Sequence, residues 1–221
     1  MMMSGESEQT QRGAPPVQPL PSKAETVLIA AGRVFLTHGF SAATTDMIQR
    51  EAGVSKSTVY AYYPNKEALF VAVIEKHCAR LAAVLDDVAS ETGGLRQALT
   101  AVGRAYLTTV VSADGLALFR TVVAEAPRFP HLARTFYQAG TRVVMARILE
   151  HLTQAAAEGE VDLTTIGLET ATLIFAGLIR SEPQLHYLIH PDARPSAEQV
   201  EQWVSIAVGT FLRAYGRKAE E

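Results

Sequence analysis

From residue 22 onward, apolar positions recur at intervals of three and four almost without a break, and no stretch alternates apolar and polar residues for long enough to make a strand. The chain is expected to be all-α, with about nine helices. The first opens on Ser22, with Glu25 three residues later, a spacing that lets hydroxyl and carboxylate each satisfy a free backbone N–H. Leu28, Ala31 and Phe35 then share one face, and Gly39 ends the helix. Thr44 caps a two-turn helix over 45–52, with Ile48 and Ala52 inward, Asp46 near the positive end and Gly53 as the stop. Ser55 caps the next, 56–62, and a link of only Gly53 and Val54 forces the two helices to cross steeply. Pro64 and Asn65 lead into a long helix, 66–90, carried by Leu69, Val73, Ile74, Leu81, Val84, Leu85 and Val88, which is expected to connect two domains. Five more helices are expected over 95–112, 113–126, 131–158, 163–181 and 197–215. Gly93–Gly94, the PRFP turn, Gly159 and the proline-bounded stretch 183–195 punctuate them, and Ser196 with Gln199 repeats the capping spacing.

Residues 44–63, TTDMIQREAGVSKSTVYAYY, fit a helix-turn-helix: inward Ile48, turn Gly53, apolar Val54 and a buried Val59 on the second helix. Ser55, Lys56, Ser57 and Thr58 lie at the N-terminal end of that helix, where free N–H groups favour phosphate and small polar side chains approach base edges. Tyr60 and Tyr62 project hydroxyls toward a phosphate backbone, Lys66 offers a point charge, and Thr44 can cap and touch phosphate at once. Tyr63 reads as core, and Tyr62 has packing as its alternative role.

The wider segment 30–70, with GRVFLTHGF, TT and AGVSKSTVYAYYPNKEALF, resembles the DNA-binding domain of TetR-family transcriptional regulators. The resemblance implies a DNA-contacting set of Thr44, Thr45, Ser55, Lys56, Ser57, Thr58, Tyr60, Ala61, Tyr62 and Lys66. Three positions depart from the family pattern: Gln49 stands for a small residue, usually Ala, Ser57 for a common Gly, and Ala61 for a common His that reaches bases. Residues 44–66 carry Arg50, Lys56 and Lys66 against Asp46 and Glu51, so a single motif should bind weakly. A homodimer reading a palindromic operator, with half-sites about one turn (roughly 34–36 Å) or a multiple of it apart, would double the contacts.

The chain is expected to divide into a disordered leader, 1–21, a DNA-binding head, 22–67, and an effector-binding and dimerisation domain, 68–217. The stretch LFRTVVAEAPRFPHLARTFY, with GLIRSEPQLHYLI and TFLRAYG, more loosely resembles the effector domains of AefR-type regulators, which places a small-molecule pocket among the fourth to eighth helices. Residues that combine an apolar helical face with a polar handle are the pocket candidates: Tyr106, Phe119, Glu125, Phe136, Tyr137 and Phe175, with Arg104 and Arg147 as charge partners. Each has an ordinary core or solvated-surface role as its alternative. Apolar walls would favour a hydrophobic or aromatic ligand. Val200, Trp203, Val204, Ala207, Val208 and Phe211 form one apolar stripe, and Thr170, Ala171, Ile174 and Leu178 another. The stripes suit either the protomer's own core or a dimer surface, and the family resemblance favours a four-helix interface.

Composition narrows the picture further. Of 221 residues 48% are hydrophobic and 19% charged, with a net charge of −3, so no molecule-wide basic field exists and any nucleic-acid face must be local. The N-terminal stretch has no apolar run of signal-peptide length, and TATLIFAGLI is about half of the roughly 20 residues a membrane span needs. A soluble, cytoplasmic protein without membrane partner is expected. The single cysteine, Cys78, reads as a small buried hydrophobe, with redox sensing as the minor alternative. Glu182, His186 and His190 recur every four residues, a spacing that can hold a metal, yet Pro183 and Pro191 bracket them and no further ligand is near; no metal or other cofactor is assigned. There is no phosphate-cradling glycine loop, and no Ser or Cys with evident His and acid partners; His77 and Cys78, as neighbours on a helix, point about 100° apart. The sequence points to a regulator rather than a helical-bundle enzyme. Repression relieved by a ligand is the leading expectation, and control by a protein partner the alternative.

Overall fold

The computed structural model describes residues 21–88 and 93–217. Its helices are α1 (Lys23–Ala42), α2 (Thr45–Ala52), α3 (Lys56–Tyr62), α4 (Lys66–Val88), α5 (Leu95–Val110), α6 (Ala113–Glu125), α7 (Pro130–Phe136), α8 (Arg142–Ala157), α9 (Leu168–Ile189) and α10 (Ala197–Tyr215). A π-helical turn, Tyr137–Thr141, joins α7 to α8 without a break, so among the described residues there are nine helical rods and no strand, only an isolated bridge between Val161 and Gly216. The leader expected over 1–21 and the last turns expected for the long helix, 89–90, lie almost wholly outside the described residues.

Local chemistry sets most boundaries. The Ser22 hydroxyl accepts from the Glu25 N–H at 3.2 Å, but the Glu25 carboxylate pairs with Lys76 of α4 at 3.3 Å rather than turning back to the cap. Helix α1 kinks at Gly39, whose φ of 76° is outside helical space, and continues to Ala42, past its expected end. Asn65 Oδ1 accepts from the Ala68 N–H at 2.7 Å and starts α4. Ser196 and Gln199 form the full reciprocal cap of α10.

Two further elements depart from expectation. The stretch expected as one helix over 131–158 carries the π turn where Gly140 packs against Cys78; a Cβ there would lie 3.1 Å from the Cys78 Sγ, so the extra residue of the turn presents a glycine at the crowded point. Helix α9 begins at Leu168, five residues later than expected, and runs eight residues further, through a buried Pro183. Residues 163–167 instead form a turn in which Asp162 accepts from the N–H and hydroxyl of Thr164.

Two cores result. One joins Val27, Ala31, Phe35, Phe40, Ile48, Val59, Phe70 and Ile74 to Leu118 and Val122 of α6 and Leu132 of α7. The other is built from α5, α8, α9 and α10 with the end of α4. Helix α4 contributes to both, and α6 carries the head core into the C-terminal part. No single described helix is long and apolar enough to cross a membrane; α5 and α6 pass such a test only together, across a bend of 68°.

Candidate nucleic-acid interface and effector cavity

Helices α2 and α3 meet across Gly53, whose φ of 64° is the left-handed conformation that closes α2, with its N–H bonded back to Arg50 O. Ile48 and Val59 are buried and pin the pair to α1, so α3 is held with its other face outward. On that face Ser55, Lys56, Ser57, Tyr60, Ala61 and Tyr62 are exposed, and Thr58 is half-buried. The Ser55 hydroxyl accepts from the Thr58 N–H at 3.1 Å and lies 2.8 Å from the hydroxyls of both Ser57 and Thr58, a compact polar cluster at the positive end of α3. Thr44 caps α2, accepting from the Met47 N–H at 3.2 Å, and Thr45 meets the Tyr60 hydroxyl at 3.3 Å. Lys56 bridges to Asp46 at 2.9 Å, and that hydrogen bond raises its pKa. The pair is open to solvent and so worth little to stability, which leaves the ammonium ready to exchange a carboxylate for a phosphate.

In the C-terminal part a narrow cleft of about 50 Å³ lies between α4, α5, α6, the π turn and α9. Leu81, Tyr106, Val110, Phe119 and Phe136 supply apolar walls, and Arg180 and Gln184 polar ones. Arg180 donates to the Tyr106 hydroxyl at 3.0 Å. Burial pushes the Tyr106 phenol up from its ordinary pKa, against the opposing pull of Arg180. Burial likewise pushes the Cys78 thiol, at the edge of the cleft, up to about 11, which keeps it protonated at neutral pH. A wider groove of about 310 Å³ between α1, α4 and α6 is open; of the cations that line it, Arg33 and Lys76 are paired to Glu51 and Glu25, and Arg80 is the third.

This head-and-bundle arrangement meets a direct match. The family model described as bacterial regulatory proteins, tetR family, covers residues 27–73, and that of the AefR-like transcriptional repressor C-terminal domain covers residues 97–217. The chain belongs to the TetR family. It is a DNA-binding transcriptional regulator, and its family and relatives are regulators, not enzymes. The uncharacterized HTH-type transcriptional regulator Mb1581 of Mycobacterium bovis is 30% identical over 181 residues, 79% of this chain and 86% of its own length. The solved structure of the Flavonoid-responsive Regulator FrrA is 33% identical with a TM-score of 0.68, over 89% of this chain and 98% of that one. The HTH-type transcriptional activator FasR of Mycolicibacterium smegmatis is 36% identical over 80 residues, and the match spans only 36% of its length.

Within this TetR regulator nine of the ten expected DNA-contact residues, Lys66 apart, lie on α2, α3 or their caps, and Lys66 needs a correction. Lys66 is not a free point charge: its ammonium donates to Phe40 O at 2.9 Å, Ala43 O at 3.0 Å and Ser41 O at 3.3 Å, and stands 4.6 Å from the Phe40 ring centroid. An ammonium has three N–H donors, and all three serve the end of α1. Of the eight pocket candidates, Tyr106, Phe119 and Phe136 line the cleft. The others do not. Arg104 pairs with Glu201, Arg147 with Asp86 and Glu150, Tyr137 is exposed, and Phe175 is buried against Phe211 with ring centroids 5.3 Å apart. Glu125 instead accepts from the Ser41 N–H at 2.9 Å, tying α6 to the head.

The apolar stripe needs the same correction. Ala171, Val200, Val204, Ala207, Val208 and Phe211 are buried in the protomer's own core, because α10 packs that face onto α5 and α9. Of the expected interface only Thr170 and Leu178 are exposed, with Ile174 and Trp203 half-buried. Leu173, Leu185, Ile189 and Ile206 are the exposed apolar residues on α9 and α10 that the stripe did not include. The His186 and His190 rings stack at 4.5 Å, and no group of three metal-ligating side chains occurs among the described residues.

Proposed function

We propose that this TetR regulator is a homodimeric repressor, released from a palindromic operator when a small aromatic or apolar ligand enters the cleft. The observation that carries the reading is the double role of α6. Phe119 lines the cleft, while Leu118 and Val122 on the same helix belong to the core of the DNA-binding head. A cleft of about 50 Å³ has no room for an aromatic molecule at the present spacing. Entry must therefore displace α6 or the turn that follows α7, and the head with it; α4, running from the head to the cleft wall, is the second lever. The flavonoid response of the related regulator and the repressor description of the C-terminal family support the ligand class and the sign.

Dimerisation rests on Leu173, Leu178, Leu185 and Ile189 of α9 and Ile206 of α10, exposed on two adjacent long helices that would form a four-helix interface with their copies. The experiment is selection of DNA from a random library, followed by anisotropy titration of the selected duplex. One dimer per inverted repeat, displaced by aromatic compounds that shift the melting temperature, is expected. Selection of a single half-site by a monomer, or binding that no aromatic compound alters while a protein fraction does, would overturn it.

A further inference from the structure

The polar side of the cleft is rich in donors and holds no carboxylate among the described residues. The Tyr106 hydroxyl oxygen accepts from Arg180, and its own proton has no acceptor among the described residues; Tyr106 is 3% exposed. Arg180 has that one hydrogen bond and no carboxylate partner among the described residues. Gln184, one helical turn further along α9, is 7% exposed, and its side-chain amide meets no hydrogen-bonding group among the described residues; since no buried polar atom is sealed off without a partner, that amide opens on the cleft. Of the remaining polar lining, the Thr109 hydroxyl already donates to Ala105 O, Thr141 adds one hydroxyl, and His77, whose pKa burial lowers, adds an imidazole; among the described residues no Asp or Glu lines the cleft.

Arg180 is half-buried and the Gln184 amide is not sealed off, so water can serve both in the free protein. A ligand that brings an anion replaces that water with charge-assisted hydrogen bonds. We infer that the cleft binds an aryl carboxylic acid in its ionised form, the carboxylate on Arg180, the Tyr106 hydroxyl and the Gln184 amide, and the ring between Phe119, Phe136 and Leu81. The inference rests on the cleft being the effector site and adds the charge of the effector. A carboxylate fits these partners better than a phenol does. A carboxyl group titrates near pH 4 and at neutral pH brings only acceptors, whereas a phenol titrates near pH 10 and brings a proton of its own to a site already rich in them. Charge-assisted bonds in a water-poor cleft are also the strong ones.

The test compares benzoate, naphthalene-2-carboxylate and anthracene-2-carboxylate, each against its primary amide, by isothermal titration calorimetry at neutral pH on the full chain. Three proteins are used: the parent, Arg180→Met and Tyr106→Phe, with circular dichroism melts to confirm that each variant is folded. At least one acid is expected to bind roughly tenfold to a hundredfold more tightly than its amide. Arg180→Met should remove that preference while leaving amide affinity within a few-fold, and Tyr106→Phe should reduce it partly. Acid and amide binding alike, with Arg180→Met indifferent, would overturn the anion while keeping the cleft as a ligand site. No binding of any member would overturn both the anion and the cleft.

Discussion

Replacing Lys66 by Met separates two accounts of one residue. If Lys66 is a phosphate contact, its loss leaves the fold alone and removes one released counterion, so the slope of log affinity against log salt becomes shallower by about 0.9 per protomer. In the structure it binds three carbonyls at the end of α1, those of Phe40 and Ala43 through partly buried bonds, and rests against the Phe40 ring. Two partly buried hydrogen bonds are worth about 1 kcal/mol each, the solvent-facing third little, and a half-exposed cation–π contact under about 1 kcal/mol. Met keeps the aliphatic stem, so the expected loss is about 2–3 kcal/mol. For a chain of this size each kcal/mol moves the melting temperature by about 2–4 °C, giving roughly 5–10 °C at matched protomer concentration. Urea unfolding and anisotropy titrations across salt read both quantities on the same preparation. Unchanged stability with a shallower salt slope would refute the structural assignment.

Gly53→Ala, forced into the left-handed conformation at φ 64°, should cost about 1–2 kcal/mol in urea unfolding, and Gly53→Asn less. The Cys78 thiol, raised by burial to about 11, should resist thiol reagents at neutral pH until the protein unfolds. Because its folded pKa lies above the unfolded value, its contribution is intact below about pH 8.5 and lost as pH rises toward 11. The stability advantage over Cys78→Ala should shrink by roughly 3 kcal/mol across that window in pH-dependent unfolding. Leu185→Glu with Ile206→Glu, both at exposed positions, should give a folded monomer by sedimentation equilibrium with operator affinity reduced at least a hundredfold. A dimer that persists would place the interface elsewhere.

The head was legible because each of its boundaries has a local chemical cause. Thr44, Ser55 and Asn65 cap, Gly53 stops, and Ile48 and Val59 are the buried residues of two very short helices. The bundle was less so, and the errors there share causes. Pro183 reads as a helix stop, yet α9 runs through it with the ring buried, so expecting the helix to end at 181 left Gln184 outside any helix and Arg180 at a fraying end. That is why the polar wall of the cleft was missed while its aromatic wall was found. The α10 stripe has the right period for a buried face, but periodicity does not tell whether the covering surface comes from the same chain or from another. Lys66 misled for a similar reason: a lysine beside a recognition helix looks like a phosphate contact unless the carbonyls at the end of α1, more than twenty residues earlier, are known to converge on it.

On the proposed function, the turn between α6 and α7 is the element placed to carry movement from the cleft to the DNA-binding head. Four contacts from it reach the head: Glu125 on the Ser41 N–H at 2.9 Å, Arg128 on the Ser41 hydroxyl at 3.2 Å, Phe129 edge-on to Phe40 at 4.9 Å, and His131 Nε2 at 3.2 Å from a Glu67 carboxylate oxygen. Phe119 and Phe136, the facing aromatic walls of the cleft with centroids 6.2 Å apart, lie on the helices that flank this turn. Spreading the rings therefore pulls on the turn from both sides, and the end of α1 must follow or let go. Cutting the polar tether with Glu125→Ala and Arg128→Ala should leave ligand affinity for the free protein unchanged, because neither residue lines the cleft. Ligand and DNA affinities in such systems are commonly coupled by about 1–3 kcal/mol, and the double variant should lose a large part of that coupling. The check is a thermodynamic cycle: DNA affinity with and without saturating ligand, for parent and variant. Coupling that survives unchanged would move the relay to α4. Weakened DNA binding without ligand, at full coupling, would make the turn a fixed brace for the head and not its lever.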